Sequence, residues 1–149
     1  MADNSIALSI SLPCEINKAW EAITDWQQQS NWMLQTRVTV TSQIVNGPGT
    51  EISAFSGPLH HWYPRFRFFG IVDTMVVTTW TPPFLCEVLH TGSIIQGTGR
   101  FELVSVSPNE TRFDWSEVIY APRVIFTLIK PAIYLGVLIS LQRFRRTLR

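Results

Sequence analysis

The feature that most constrains this fold is the apolar stretch at residues 122–149. Pro122 suits the first turn of a helix, where the missing N–H group costs nothing. Apolar residues then recur at helical spacing, and the opposite surface of the same helix is apolar as well. Four arginines near its end suit the negative pole of a helix dipole: Arg143, Arg145, Arg146 and Arg149. We therefore predict a long C-terminal helix that needs cover on nearly every side.

A membrane span is the first alternative for this stretch, because residues 124–141 approach the ~20 apolar residues that cross a bilayer. Lys130 and Pro131 lie near the middle of that run. A charge is expensive there, and the proline removes a hydrogen bond and bends the helix. The pattern favours a soluble helix held by a curved sheet.

Length and composition set the class of protein. With 149 residues, 46% of them hydrophobic and 15% charged, the chain predicts a single domain, residues 1–149, with a sizeable core. The net charge of +1 provides no general basic field, so we expect no nucleic-acid partner. We interpret the arginine cluster first as solvation of the helix end and second as a weak contact with an anionic membrane surface.

Two further patterns bear on cofactors and compartment. Cys14 and Cys86 lie far apart and show no metal-type pairing, so we expect neither a metal nor another cofactor. The N-terminus lacks the positive region of a secretory signal, which predicts a cytoplasmic protein. The oligomeric state is not indicated.

The rest of the chain has the patterns of strands. Ile6, Leu8, Ile10 and Leu12 alternate with small residues, and two short helices follow, over residues 15–24 and then toward Trp32. About six strands come next, separated by short turns, of which residues 36–44 and 50–56 form a hairpin. This order predicts an α+β fold in which an antiparallel meander is covered by the terminal helix.

Several segments carry a resemblance that covers essentially the whole chain. They are Pro13 with the run Ala-Trp-Glu-Ala-Ile-Thr-Asp-Trp at residues 19–26, Trp32, Trp-Thr-Pro-Pro at residues 80–83, and Gly-Thr-Gly-Arg-Phe at residues 97–101. In these segments the chain resembles the START-like (SRPBCC) superfamily of polyketide cyclases, Bet v 1 allergens and lipid-transfer domains. More narrowly, it is similar to actinobacterial proteins of the polyketide cyclase/dehydrase type.

The resemblance implies a helix-grip (Bet v 1-like) fold. Its parts would be a curved antiparallel sheet of about seven strands around the long C-terminal helix, and two short helices after strand 1. A cavity for a hydrophobic ligand would lie between sheet and helix. The superfamily has no shared catalytic set, so the resemblance implies no reaction.

Two titratable residues are predicted to face that interior. Alternation groups Glu117 with the apolar residues of the last strand, and groups His90 with Cys86 and Val88. They are the candidates for an acid/base pair or a ligand anchor. In the simpler interpretation His90 is a hydrogen-bonded core side chain and Glu117 forms an ordinary ion pair; its partner would be Arg100, Arg112 or Arg123. Alternation does not assign Asp73 to a face.

Gly97 and Gly99 share the inner face of their strand in this pattern. They either let the terminal helix approach the sheet or open space for a ligand. The predicted ligand-binding set is Val88, His90, Gly97, Gly99, Phe101, Trp115, Glu117, Ile129, Ala132, Ile133 and Gly136. His60 and His61 are adjacent and would point to opposite faces of a strand, so they suggest a loop over the cavity mouth rather than a metal site.

Three functions are consistent with these patterns. The sequence favours binding or carriage of a hydrophobic small molecule, a lipid or polyketide-like compound, over catalysis. One alternative is a polyketide cyclase or dehydratase with Glu117 and His90 as acid/base groups. The other is a module that docks on a protein or a membrane surface through the apolar C-terminal helix.

Overall fold

The computed structural model describes residues 4–62, 64–65 and 67–149 and contains one seven-stranded antiparallel sheet. The strand order is β1-β7-β6-β5-β4-β3-β2. The elements are β1 (Ser5–Leu12), α1 (Ile16–Ile23), α2 (Gln29–Trp32), β2 (Thr36–Val40), β3 (Glu51–Ser56), β4 (Ile71–Thr81), β5 (Leu85–Thr91), β6 (Gln96–Ser107), β7 (Glu110–Ile119) and α3 (Arg123–Thr147). Short 3-10 turns occur at His60–Trp62 and Arg67–Phe69. The predicted helix-grip class, with about seven strands and two short helices after the first, is confirmed.

The first strand pairs with the last, which decides how the helices cover the sheet. Leu8 lies opposite Trp115 and Ile10 opposite Phe113, so β1 and β7 share an inner apolar face. Since β1 and β2 form the two edges of the sheet, α1 and α2 must cross from one edge to the other. These helices and α3 therefore enclose the inner face.

The aromatic and β-branched run at residues 66–80 predicts one long strand, and the structure differs at its beginning. The strand begins at Ile71, after a 3-10 turn. At Gly70 an added Cβ would lie 2.4 Å from the Ser56 carbonyl oxygen, so the chain passes too close to β3 for a side chain. An aromatic run satisfies a strand pattern as well as a packed loop, and Phe66 itself lies outside the described residues.

Only part of α3 is held by the rest of the domain. Its buried residues are Phe126, Ser140, Leu141 and Phe144, whereas Leu128 is 75% exposed. Phe144 packs against Trp32 at 4.7 Å and against Phe113 at 6.3 Å between ring centroids. The expectation that the helix is covered on nearly every side is therefore wrong for its first half. That half extends beyond the aromatic contacts that hold the second half.

By length and composition, α3 resembles a membrane span. Its most apolar window has a mean hydropathy of 2.1, and 17% of that window is buried. A core helix of a soluble protein passes the same test but is mostly buried, whereas most of this window is exposed. Phe126, Leu141 and Phe144 nevertheless pack in the core of the domain. Lys130 and Pro131 both lie within the helix. A charge and a proline at this position disfavour a membrane span.

Because α3 is buried unequally, the same leucine-to-alanine substitution should reduce stability by different amounts at different positions of the helix. Leu141→Ala should lower the free energy of unfolding by about 2–5 kcal/mol, because Leu141 is 2% exposed and its loss leaves a cavity. Leu128→Ala is the matched control and should change it by less than about 0.5 kcal/mol. Urea unfolding of both variants measures the difference, and equal losses would contradict this packing.

Candidate functional site

An apolar cavity of ≈ 450 Å³ lies between the inner face of the sheet and α3. This volume is within the range of small-molecule sites, ~300–1,000 Å³. Its apolar walls include Trp32, Met33, Ile52, Met75, Val88, Phe101, Trp115, Ile133, Val137 and Leu141. Gly136 adds open space, because a Cβ built there has no neighbour within 4 Å. Helix and sheet are therefore not in contact at this glycine.

Three strands bring a histidine and two carboxylates to one end of this cavity. Asp73 comes from β4, His90 from β5 and Glu117 from β7. Strand β6 lies between β5 and β7, and its Gly99 stands opposite Glu117 in the register. A Cβ at Gly99 would lie 2.9 Å from Val88 Cγ2, and at ordinary contact distances of 3.6 Å from His90 Nε2 and 3.8 Å from Glu117 Cγ. A larger side chain at this position would compete with these residues for space, so the glycine leaves room for His90 and Glu117 to meet across an intervening strand.

The geometry makes His90 the centre of the cluster. Its Nδ1 lies 2.9 Å from both Asp73 carboxylate oxygens and donates to them. Its Nε2 lies 3.6 Å from Glu117 Oε1, an ion-pair distance that is too long for a hydrogen bond, and has no hydrogen-bond partner among the described residues. The His90 side chain is 2% exposed, against 17% for Asp73 and 20% for Glu117. The two carboxylates therefore line the cavity, with the imidazole behind them.

The charge of His90 follows from its neighbours. Burial alone would lower its pKa, but the interactions with Asp73 and Glu117 outweigh burial and raise the pKa from 6.5 to about 9. At neutral pH the cluster is thus an imidazolium between two carboxylates. In this state His90 can donate a proton but cannot accept one, so the carboxylate oxygens are the proton-accepting groups of the cluster.

Two of the three arginines considered as partners of Glu117 are engaged elsewhere, and among the described residues no ion pair joins Arg123 to Glu117. Arg100 binds Glu87 at 3.0 Å and Glu102 at 3.2 Å. Arg112 binds Asp114 at 3.0 Å. The charged group that Glu117 contacts is His90 instead.

Most of the predicted ligand-binding residues line the cavity: Val88, Gly99, Phe101, Trp115, Glu117, Ile133 and Gly136. The others lie elsewhere. His90 is behind the carboxylates, and Ile129 and Ala132 are exposed residues of α3 outside the cavity lining. Gly97 has φ +143°, and its added Cβ would lie 1.8 Å from the Val118 carbonyl oxygen, so it serves a backbone conformation and not the cavity.

Asp73 is the site residue that the sequence pattern did not assign. The register of β4 against β5 shifts between Val77 and Thr79, which interrupts simple alternation along this strand. Both faces of β4 also carry apolar residues. The sequence signal for this residue was a carboxylate in a strand that carries apolar residues on both faces. Alternation could not assign that carboxylate to either face.

The other candidate positions do not join this cluster. His60 and His61 stack on each other at 3.8 Å between ring centroids in the β3–β4 connection. Within the described ranges, no group of three or more His, Cys, Asp or Glu side chains is arranged so that it could hold a metal ion. A larger depression of ≈ 650 Å³ opens near Trp20, Asp25 and Trp80, but it does not include the His90 cluster.

Comparisons with known proteins identify the fold. No family model and no curated protein matches the sequence. A START superfamily protein from Mycobacterium smegmatis aligns with TM-score 0.74 and 8% identity over 97% of this chain and 99% of its own. Protein Ms6760 from the same organism aligns with TM-score 0.72 and 14% identity over 98% and 91%. Zhui aromatase/cyclase from Streptomyces sp. R1128 aligns with TM-score 0.69 and 10% identity over 96% and 92%. The chain has a START-like fold.

The buried ion cluster predicts a shifted titration of His90. In NMR spectra the imidazole should titrate near pH 9 instead of 6.5. Because the pKa is raised on folding, the cluster's contribution to stability is fully present below about pH 6.5 and is lost as pH rises through about 9.

Urea unfolding at pH 6 and pH 9.5 measures this loss. Burial also raises the pKa of Cys14, and it raises that of Cys86 to about 12, so the thiols lower stability in the same direction at high pH. The difference between wild type and His90→Gln isolates the histidine. A midpoint near 6.5, or equal pH dependence in both proteins, would contradict the cluster.

Proposed function

We propose that this START-like domain binds or carries a hydrophobic small molecule, a lipid or polyketide-like compound, in the cavity between the sheet and α3. The observation that carries the proposal is the open space of ≈ 450 Å³ bounded by apolar side chains. Protein cores are packed with few voids larger than a water molecule. An apolar space of this size at the contact of two structural layers is typical of a ligand site.

The cyclase or dehydratase alternative has less support. One solved structure with this fold is named an aromatase/cyclase, but at 10% identity that likeness concerns the fold alone. Removal of a proton next to a carbonyl needs a base, and an imidazolium at His90 does not provide one. Such a reaction would therefore depend on Glu117 or Asp73. Binding requires no such step, and we place it first.

Gly136→Leu tests the cavity directly. The leucine should enter the open space and lower the affinity for the neutral fluorescent probe N-phenyl-1-naphthylamine by roughly tenfold or more. The free energy of unfolding should stay the same or rise by up to about 1 kcal/mol, because leucine is the better helix former.

Ala132→Leu, at an exposed position of the same helix outside the cavity lining, is the matched control and should leave probe affinity unchanged. Fluorescence titration and urea unfolding measure the two effects. Lost stability with unchanged probe binding would mean that Gly136 borders a packed core, and would reject the cavity at this position.

A second function, docking on an anionic membrane surface, is supported by the exposed apolar residues at one end of the sheet. The pairs Ser56–Ile71, Thr91–Gln96 and Gly97–Ile119 bring the β3–β4 connection, the β5–β6 turn and the start of α3 together there. Large exposed side chains on these segments are Trp62, Phe68, Phe69, Ile71, Ile94, Tyr120, Val124, Ile125, Leu128 and Ile129. We call this set the apolar end. Clusters of this kind mark interaction surfaces.

The charges next to the apolar end favour an anionic bilayer as its partner. The sequence has no Asp or Glu at residues 57–72 or 118–149. Arg123 and Lys130 line one groove on the first half of α3. Arg143, by contrast, donates to the Asn31 carbonyl oxygen at 3.1 Å, at the other end of α3. The membrane contact first considered at the C-terminal arginines is therefore better supported at the start of the helix.

Co-sedimentation with phosphatidylserine-containing vesicles tests this surface. Leu128→Glu should reduce vesicle binding by roughly tenfold or more, since a buried leucine contributes about 1.5–3 kcal/mol and the new charge is repelled. Val106→Glu is the matched control: Val106 is 57% exposed at the opposite end of the sheet. Equal binding of both variants would overturn the proposal. Concentration-dependent dimerisation that only Leu128→Glu abolishes would assign the face to a second copy instead.

A further inference from the structure

The polar groups of the cavity point to one class of ligand. Resting on the proposed binding function, we infer that the ligand is an apolar molecule with a hydrogen-bond-donating, non-anionic polar group, a hydroxyl or an ammonium. That group binds the carboxylates of Asp73 and Glu117. Molecules whose polar group is a carboxylate or phosphate are excluded.

The first step is the hydrogen-bonding capacity of the cavity wall. Ionised carboxylates only accept hydrogen bonds, and each has about four acceptor positions. His90 Nδ1 occupies one position on each oxygen of Asp73, and the Glu117 oxygen nearest to His90 is 3.6 Å from Nε2. The remaining acceptor positions of both residues border the cavity. Acceptors that face an apolar space need donors from whatever fills it.

The second step is that most other polar side chains of the wall already have partners in the protein. Exceptions among the described lining residues include Trp32 Nε1, a buried donor without a hydrogen-bond partner, and Gln35, which is exposed to solvent. Gln29 Nε2 donates to the Ile23 carbonyl oxygen at 2.8 Å. Ser140 Oγ donates to the Gly136 carbonyl oxygen at 2.7 Å and accepts from Leu34 N at 2.9 Å. Thr36 Oγ1 is bound to the Leu34 carbonyl oxygen at 2.9 Å. The carboxylates are thus the charged hydrogen-bond acceptors among the described lining residues, and they accept from donors that a ligand brings.

The third step is charge. No lysine or arginine occurs among the described residues that line the cavity. In the part of the chain that the structure describes, the cation that contacts the two carboxylates is the His90 imidazolium, so these three groups together keep one net negative charge. A second anion in this poorly solvated space would be repelled and would also lose its hydration. A hydroxyl or ammonium is not repelled, and the hydrogen bonds that it donates to the carboxylates offset the hydration that it loses.

His90 acts here as a positioning residue. It lies behind the two carboxylates and does not line the cavity. Its imidazolium attracts both carboxylates and offsets the electrostatic repulsion between them. In this way it holds both side chains at the same wall as acceptors.

Four twelve-carbon compounds test the inference at neutral pH: dodecylamine, dodecan-1-ol, 2-dodecanone and laurate. Each displaces N-phenyl-1-naphthylamine from the wild-type protein to a measurable extent if it binds. The amine and the alcohol should bind roughly tenfold or more tightly than the ketone, because a hydrogen bond to a charged group is worth that much. The ketone only accepts hydrogen bonds, and laurate should bind most weakly of the four.

A double variant tests which residues produce the ranking. Asp73→Asn with Glu117→Gln removes both negative charges and should abolish the advantage of the amine while raising laurate affinity roughly tenfold or more. Glu102→Gln with Asp114→Asn is the matched control. These two residues are register partners on the outer face of β6 and β7, away from the cavity, so the ranking should not change. The single variant Glu117→Gln should be intermediate, and it replaces the double variant if that protein does not fold.

The outcomes separate the two proposals. No binding of N-phenyl-1-naphthylamine to the wild-type protein would reject the proposed function itself. Probe binding together with laurate as tight as dodecan-1-ol, or a ranking that the double variant and its control share, would overturn only the inference about the ligand. Tight binding of 2-dodecanone, equal to that of the alcohol, would also overturn it, because the carboxylates would then have no role in selection.

Discussion

The packing of Phe144 between Trp32 and Phe113 is the contact on which the rest of this architecture depends. Phe144 is 1% exposed and joins α3 to α2 and to the last strand at once. Because this contact lies in the second half of α3, the first half is held by few buried residues. One helix therefore borders the cavity with Ile133 and Gly136, while Leu128 remains exposed to solvent.

The absence of one side chain has a comparable effect on the site. Strand β6 separates β5 from β7, so residues on those two strands would not normally touch. At Gly99 the space that a side chain would take is shared by His90 and Glu117. The ion cluster thus depends on a glycine that carries no chemistry of its own. A glycine within a strand weakens it, and here the same position permits a buried ion cluster.

Sequence alternation located much of this site, within limits that have a physical cause. Inward positions for Glu117 and His90 follow from the two-residue period of β7 and β5, and the structure brings both to one cluster. Asp73 escaped the same logic because the register of β4 shifts between Val77 and Thr79. Ile129 and Ala132 were grouped with the cavity because helical spacing places them near the side of α3 that carries Gly136, but spacing does not show how far along the helix the cavity extends.

By itself the sequence determined the order of the elements, the α+β class and the inner face of the regular strands. These are local properties, since hydrophobic period, turns and helix ends depend on residues close together in the chain. Tertiary structure alone decided that His90 lies between two carboxylates and that half of α3 remains uncovered. Both depend on contacts between segments far apart in sequence: Asp73 with His90, His90 with Glu117 across β6, and Phe144 with Trp32. No local pattern encodes such distances, because they are set by how the sheet curves and where the last helix is held.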